Sequence, residues 1–104
     1  MIKVNDTRAL IAAIDGKRAL VLFHATWCSY CRAFVPVYEE AGAAASDWVP
    51  VEAELDEDDN PLWDEFGIDV VPTLILFEGG RPTKRIDAHH GIGLSRNDLR
   101  RILS

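Results

Sequence analysis

The chain has 104 residues, 48% of them hydrophobic and 27% charged, and a formal net charge of −6 at pH 7. That is the length of one domain around one core, expected to span 1–104, with the composition of an ordinary soluble globular protein. The acidic balance argues against nucleic acid as a partner, because neutralising phosphates takes clustered Lys and Arg, and no apolar run approaches the roughly 20 residues of a membrane span.

At the N-terminus, MIKVNDTRAL lacks the apolar core of a secretory signal, so the expected address is the cytoplasm. IKV (2–4) is a candidate edge strand. Asp6 and Thr7 are N-cap types, and the helix they open carries Leu10, Ile11 and Ile14 on one face, with Gly16 as its C-cap. ALVLFHA (19–25) is a continuous apolar run, the pattern of a strand buried on both faces. From Ser29 to Ala45, Phe34, Val37, Tyr38, Ala41 and Ala45 recur at helical steps, with Pro36 inside the helix to kink it.

VPVEAEL (49–55) alternates like a strand, and the acidic run EAELDEDD (52–59) reads as a strand end followed by a solvated loop. A calcium loop is the sharper alternative, but the ordered spacing and central glycine of an EF-hand are missing. NPLWDEFG (60–67) has the Pro-first, Gly-last signature of a short helix. TLILF (73–77) is a second buried strand, EGGRP a turn, and KRIDA (84–88) its antiparallel partner. SRNDLRRIL (95–103) is a closing helix in which Ser95 and Asp98 form a capping-box pair and Leu99, Ile102 and Leu103 the apolar stripe. The order β-α-β-α-β-α-β-β-α implies an α/β sheet with a parallel part and a closing hairpin. Charge is unevenly spread along it: residues 1–80 carry 5 basic and 15 acidic side chains, a balance of −10, and residues 81–104 carry 6 and 2, a balance of +4.

Both cysteines lie in WCSYC (27–31). This arrangement sets Cys28 past the carboxyl end of a central strand and at a helix start, where active groups of open α/β sheets gather. Unpaired N–H groups and the positive end of the helix dipole favour a thiolate there. Cys31 sits one turn further in and should be more buried. Cys28 is therefore the candidate attacking thiolate and Cys31 the resolving thiol. A structural disulfide closing so short a loop would constrain little chain entropy. A closed zinc site needs four ligands where the pair offers two, and His24, a conceivable third, precedes them on a strand. Inert packing thiols are the remaining alternative.

VLFHATWCSYCRAFVP (21–36) resembles the active-site segment of the thioredoxin family: an apolar strand, W-C-x-x-C, then Pro36 five residues after the second cysteine. GIDVVPTLILFEGG (67–80) resembles the family's cis-proline loop with its following strand and glycine turn, and LSRNDLRRIL (94–103) its last helix. The resemblance implies the thioredoxin fold, an α/β central mixed sheet of four to five strands flanked by four helices. It implies a monomer that exchanges disulfides with protein substrates through the Cys28–Cys31 pair. No other cofactor and no metal is implied, and a reductase such as a thioredoxin reductase would recycle the pair. It further implies a cis Val71–Pro72 bond packed against the cysteines, with the backbone of Val71 pairing with an extended substrate. Trp27, Tyr30, Val71 and Pro72 are the substrate-contacting candidates. The same chemistry run toward oxidation or isomerisation is one alternative; a binding module that uses the pair without turnover is another.

Three departures from the family pattern matter. Ser29-Tyr30 stands between the cysteines where thioredoxins carry Gly-Pro, which frees an N–H and leads us to expect a potential less negative than a typical thioredoxin's ~−270 mV. Leu22 occupies the place, six residues before Cys28, of the family's buried acid. Glu52 falls where the neighbouring lysine usually is. Glu52 is then a candidate relocated proton acceptor for Cys31, its own pKa raised by burial; the alternative is that it points to solvent. His24 replaces an aromatic residue and is either a charge beside the cysteines or a packed neutral side chain. His89 and His90 fall in a long loop expected to border the site, and Trp48 and Trp63 read as packing residues.

Overall fold

The computed structural model describes every residue from Met1 to Ser104. Its elements are β1 (Ile2–Val4), α1 (Thr7–Ile14), β2 (Arg18–His24), α2 (Ser29–Ala43), β3 (Val49–Glu54), α3 (Leu62–Glu65), β4 (Thr73–Glu78), β5 (Arg81–Asp87) and α4 (Arg96–Leu103). The five strands form one mixed sheet in the order β1-β3-β2-β4-β5. β1, β3 and β2 run parallel, while β4 is antiparallel to β2 and β5 to β4. β2 is thus central, and its carboxyl end delivers the chain to the cysteines.

Alternation along the central strands divides the core into two layers. Ala19, Val21 and Phe23 of β2 join Val51 and Ala53 of β3 and Ile75 and Phe77 of β4 on one face, covered by Leu10 and Ile14 of α1 and Leu62 of α3. Leu20, Leu22, Leu74 and Leu76 line the other face beneath Phe34 and Tyr38 of α2 and Leu99 and Ile102 of α4. The Tyr38 hydroxyl ties α2 to this sheet: it lies 2.7 Å from the Leu20 carbonyl oxygen and accepts the Val51 N–H at 3.0 Å. Burial raises the Tyr38 phenol above its ordinary range. The hydroxyl therefore stays protonated and keeps its donor.

Asp6 caps α1, its carboxylate accepting the Ala9 N–H at 2.8 Å. At α4, the Asp98 carboxylate accepts from the Ser95 N–H at 2.8 Å and the Ser95 hydroxyl at 3.1 Å. One expected core residue is misplaced: Ile11 is 57% exposed, and α1 buries Leu10, Ala13 and Ile14 instead. Each residue turns the helix by about 100°, so an eight-residue helix lying on a sheet buries i, i+3 and i+4 and swings i+1 outward. α2 ends at Ala43, two residues short of the expected Ala45, where the Ala44 N–H turns back to the Ala41 carbonyl oxygen and the Ala45 N–H to that of Gly42. β5 is exposed over Arg81–Arg85, and a register shift interrupts its pairing at Leu76/Phe77.

Candidate active site

The turn joining β2 to α2 is clamped by Asp56, just past the end of β3. The Thr26 N–H donates to Asp56 Oδ1 at 2.7 Å and the Thr26 hydroxyl to Oδ2 at 2.7 Å. The Trp27 indole N–H reaches the Asp56 carbonyl oxygen at 3.2 Å. The Thr26 hydroxyl, then its N–H, hold the Asp56 carboxyl below the ordinary aspartate range. From outside the turn, Arg32 donates to the Thr26 carbonyl oxygen at 3.0 Å. Sequence reasoning took Asp56 for part of a solvated acidic loop. The one signal that sets it apart is its place as the first acid after the buried Leu55.

Cys28 is the N-cap of α2, and its sulfur accepts the Cys31 N–H at 3.2 Å. A sulfur there takes an otherwise orphaned helix donor and sits at the positive end of the dipole. Its thiol also lies 3.6 Å from the Val71 carbonyl oxygen. Both thiols are free. Cys28 keeps 9% of its surface exposed, whereas Cys31 has none. Burial, and then Cys28 beside it, push the Cys31 thiol far above its usual range. The two sulfurs are chemically distinct: one reachable and supported by an amide, the other buried and held protonated.

The Val71–Pro72 bond is cis, as expected, and Val71 packs against the Ala25, Cys28 and Cys31 cluster. The Val71 N–H makes no hydrogen bond within the chain. Beside Cys28 lies a cleft of about 380 Å³ lined by Trp27, Ser29, Tyr30, Trp63, Asp69, Val70 and Val71. Trp63 was expected only to pack. It does touch the core, but it also forms a wall of this cleft, with its indole N–H on the Glu57 carbonyl oxygen at 3.0 Å. Trp48 packs as expected, 6.2 Å from the ring of Tyr38. Tyr30 leans on the loop before α4. Gly93 there has φ +79°, and a Cβ at that position would come within 2.9 Å of the Tyr30 ring. His89 and His90 are exposed on this loop, where a short bridge pairs His89 with Gly93.

His24 and Glu52 meet. In the β2–β3 register Glu52 stands opposite Leu22, and it is only 2% exposed, so the solvent-facing alternative is removed. Its Oε1 lies 3.3 Å from His24 Nε2, while Oε2 is buried with no N–H or hydroxyl donor. Across from it on α2, Glu39 is held above its ordinary range, first by its hydrogen bond with Glu52 and then by burial. The expected rise in the Glu52 pKa does not occur. Burial pushes it up, but the hydrogen bonds to His24 and Glu39 outweigh burial and leave it below the ordinary glutamate range. Glu52 is therefore a buried carboxylate that stays ionised. No hydrogen bond joins Glu52 or His24 to Cys31. Both line a polar cleft of about 450 Å³, shared with Lys3, Arg32, Glu39 and Glu54.

The thioredoxin family model matches residues 3–102. A thioredoxin of Alicyclobacillus acidocaldarius is 51% identical over 76 residues, which cover 71% of this chain and 71% of that protein. A bifunctional thioredoxin reductase/thioredoxin of Mycobacterium leprae is 41% identical over 100 residues, 94% of this chain but 22% of that protein. Among solved structures, a mutant thioredoxin from Halobacterium salinarum aligns with a TM-score of 0.77 at 28% identity, covering 98% of this chain and 85% of that one. The thioredoxin of Plasmodium falciparum shares the fold, with a TM-score of 0.83 at 20% identity, covering 99% and 96%.

Proposed function

The chain belongs to the thioredoxin family and is a thiol–disulfide oxidoreductase; from that premise we propose that Cys28 attacks and Cys31 resolves. The Cys28 thiolate attacks one sulfur of a substrate disulfide. The substrate S–S bond breaks, a Cys28–substrate disulfide forms, and one substrate thiolate leaves. Cys31 then loses its proton and attacks the Cys28 sulfur, releasing the second substrate thiolate and closing the Cys28–Cys31 disulfide. Two electrons pass to the substrate. The asymmetry of the two sulfurs carries this reading: the reachable one takes the Cys31 N–H, and the other is sealed. Trp27, Tyr30 and Val71 frame the approach, Pro72 is buried behind them, and the free Val71 N–H supports pairing with an extended substrate segment.

The proton of Cys31 is the harder step, since burial holds it on the sulfur. Glu52 is buried on the sheet face that α2 covers; its depressed pKa makes it a weak acceptor, and the polar cleft beside it supports a passing relay of the proton through water to solvent rather than its capture by direct contact. His24 orients the Glu52 carboxylate. A reductase that delivers two electrons must reopen the Cys28–Cys31 disulfide. The Mycobacterium leprae relative, whose name joins a thioredoxin reductase to a thioredoxin, supports a partner of that type. Ser29-Tyr30 supports a potential above ~−270 mV.

Reduction of insulin disulfides by the wild type with dithiothreitol, beside Cys28→Ser and Cys31→Ser, tests the roles. Cys28→Ser should be inactive, and Cys31→Ser should accumulate a mixed disulfide visible by mass. Faster alkylation of Cys31 than of Cys28 in the reduced protein would reverse the assignment. Redox equilibration against a reference thioredoxin checks the potential, and a value at or below the reference would refute that part.

A further inference from the structure

The cleft beside Cys28 is mostly apolar and carries one acid, Asp69. Its apolar lining comes from Trp27, Trp63, Tyr30, Val70 and Val71. The two indole N–H groups are already spent on consecutive carbonyl oxygens of one loop, those of Asp56 and Glu57. Both rings are therefore fixed in place, and what they offer the cleft is carbon surface. Walls ordered in advance cost a ligand little additional ordering. Asp69 is the only charged residue lining the cleft. The loop that fixes the indoles continues as Glu57-Asp58-Asp59, all exposed. Its volume, about 380 Å³, lies at the low end for small-molecule sites and suits one bulky side chain with its backbone. Indole faces also attract cations, the more so beside a carboxylate.

We propose that this cleft gives the oxidoreductase its substrate preference: it takes a bulky apolar side chain next to the attacked cysteine, followed by a Lys or Arg that meets Asp69. Trp63 and Asp69 are then specificity residues that touch the substrate, neither taking part in the exchange chemistry. The proposal rests on the exchange reading given above. It assigns the cleft to cationic peptides and against acidic ones.

The test uses pre-reduced protein and three peptides whose cysteine is disulfide-bonded to glutathione and followed by Phe-Lys, Phe-Glu or Ser-Ser. The second-order rate constant of exchange is read for each. The wild type should favour Phe-Lys over Ser-Ser by about tenfold or more, the scale of one filled apolar pocket. Trp63→Ala should bring that ratio toward one, and Asp69→Asn should bring the Phe-Lys to Phe-Glu ratio toward one. Equal rates on all three peptides in the wild type, or ratios preserved in both variants, would overturn the proposal. Trp63 also packs on the core, so circular dichroism accompanies that variant. If Trp63→Ala is unfolded, the wild-type ratios and the exposed Asp69→Asn still decide. The wild type is assayed in parallel on 2-hydroxyethyl disulfide, which has no side chain for the cleft. Failure there strikes the exchange reading itself, whereas success there with equal peptide rates strikes the cleft alone.

Discussion

Asp56→Ala removes the clamp on the active-site turn, and its effect can be worked from the contacts. Two hydrogen bonds to Thr26 at 2.7 Å are lost. Bonds to a charged group are worth about 1.5–3 kcal/mol each, but Thr26 is exposed, so water takes over its donors and most of that is recovered. We expect a net loss of about 1–2 kcal/mol. Each kcal/mol lowers Tm by about 4–8 °C in a domain of this size. The sign with pH follows from the depressed Asp56 carboxyl. A group whose folded pKa lies below its unfolded value of about 3.9 stabilises fully above that value, and the contribution fades as pH falls through the folded pKa. The gap between wild type and Asp56→Ala in urea midpoint should therefore be full at about pH 7 and shrink toward about pH 2. Asp56→Asn keeps an acceptor for the Thr26 N–H and should lie between the two. The exchange rate should fall as well, because the turn that carries Trp27 and Cys28 loosens. A variant as stable as wild type at neutral pH, or a gap that does not change with pH, would refute the clamp.

Glu52→Gln should slow release of the mixed disulfide while leaving the first attack by Cys28 nearly unchanged, and stopped-flow single-turnover kinetics separate the two steps. His24→Phe should share the slower release if His24 orients Glu52; slowed attack instead would place His24 beside Cys28. Tyr38→Phe leaves the Val51 N–H without its acceptor and should cost about 1–3 kcal/mol in urea unfolding, with little change in exchange rate. Gly93→Ala should be destabilised by about 1 kcal/mol or more, from its positive φ and the clash with Tyr30, and Tyr30 fluorescence should report the displaced ring.

Much of the fold was legible because its signals are local. The apolar runs of β2 and β4, the Asp6 and Ser95 caps and the glycine turns each act within a few residues, and the nine elements occur in the expected order, although β5 begins at Arg81, inside the expected turn, rather than at 84. The cysteine pair and Pro72 were equally plain. Ile11 was not, because Leu10, Ile11 and Ile14 all fit an apolar stripe until a flat sheet selects among them. Glu52 was placed correctly on its strand, but the direction of its pKa depends on Glu39, which α2 brings from thirteen residues earlier in the chain. Asp56 and Trp63 were missed for a related reason. One looks like its acidic neighbours and the other like any core aromatic, until the β2–β3 register sets the 56–57 loop against the cysteine turn.

The sheet edges bear on how such a protein handles unfolded chains. One edge, β1, is only three residues long, and the other, β5, carries Pro82, Lys84 and Arg85 and a register break. Short, charged, proline-bearing and bulged strands are poor templates for further pairing. On the reading proposed above, a thiol–disulfide oxidoreductase would meet extended polypeptides with unsatisfied strands of their own. Beside the cysteines the chain leaves the Val71 N–H without a partner of its own. A client paired at Val71, as proposed above, would then be gripped over a short stretch and let go, with only short or bulged edges along which it, or a second copy of the enzyme, could zip up into an aggregate.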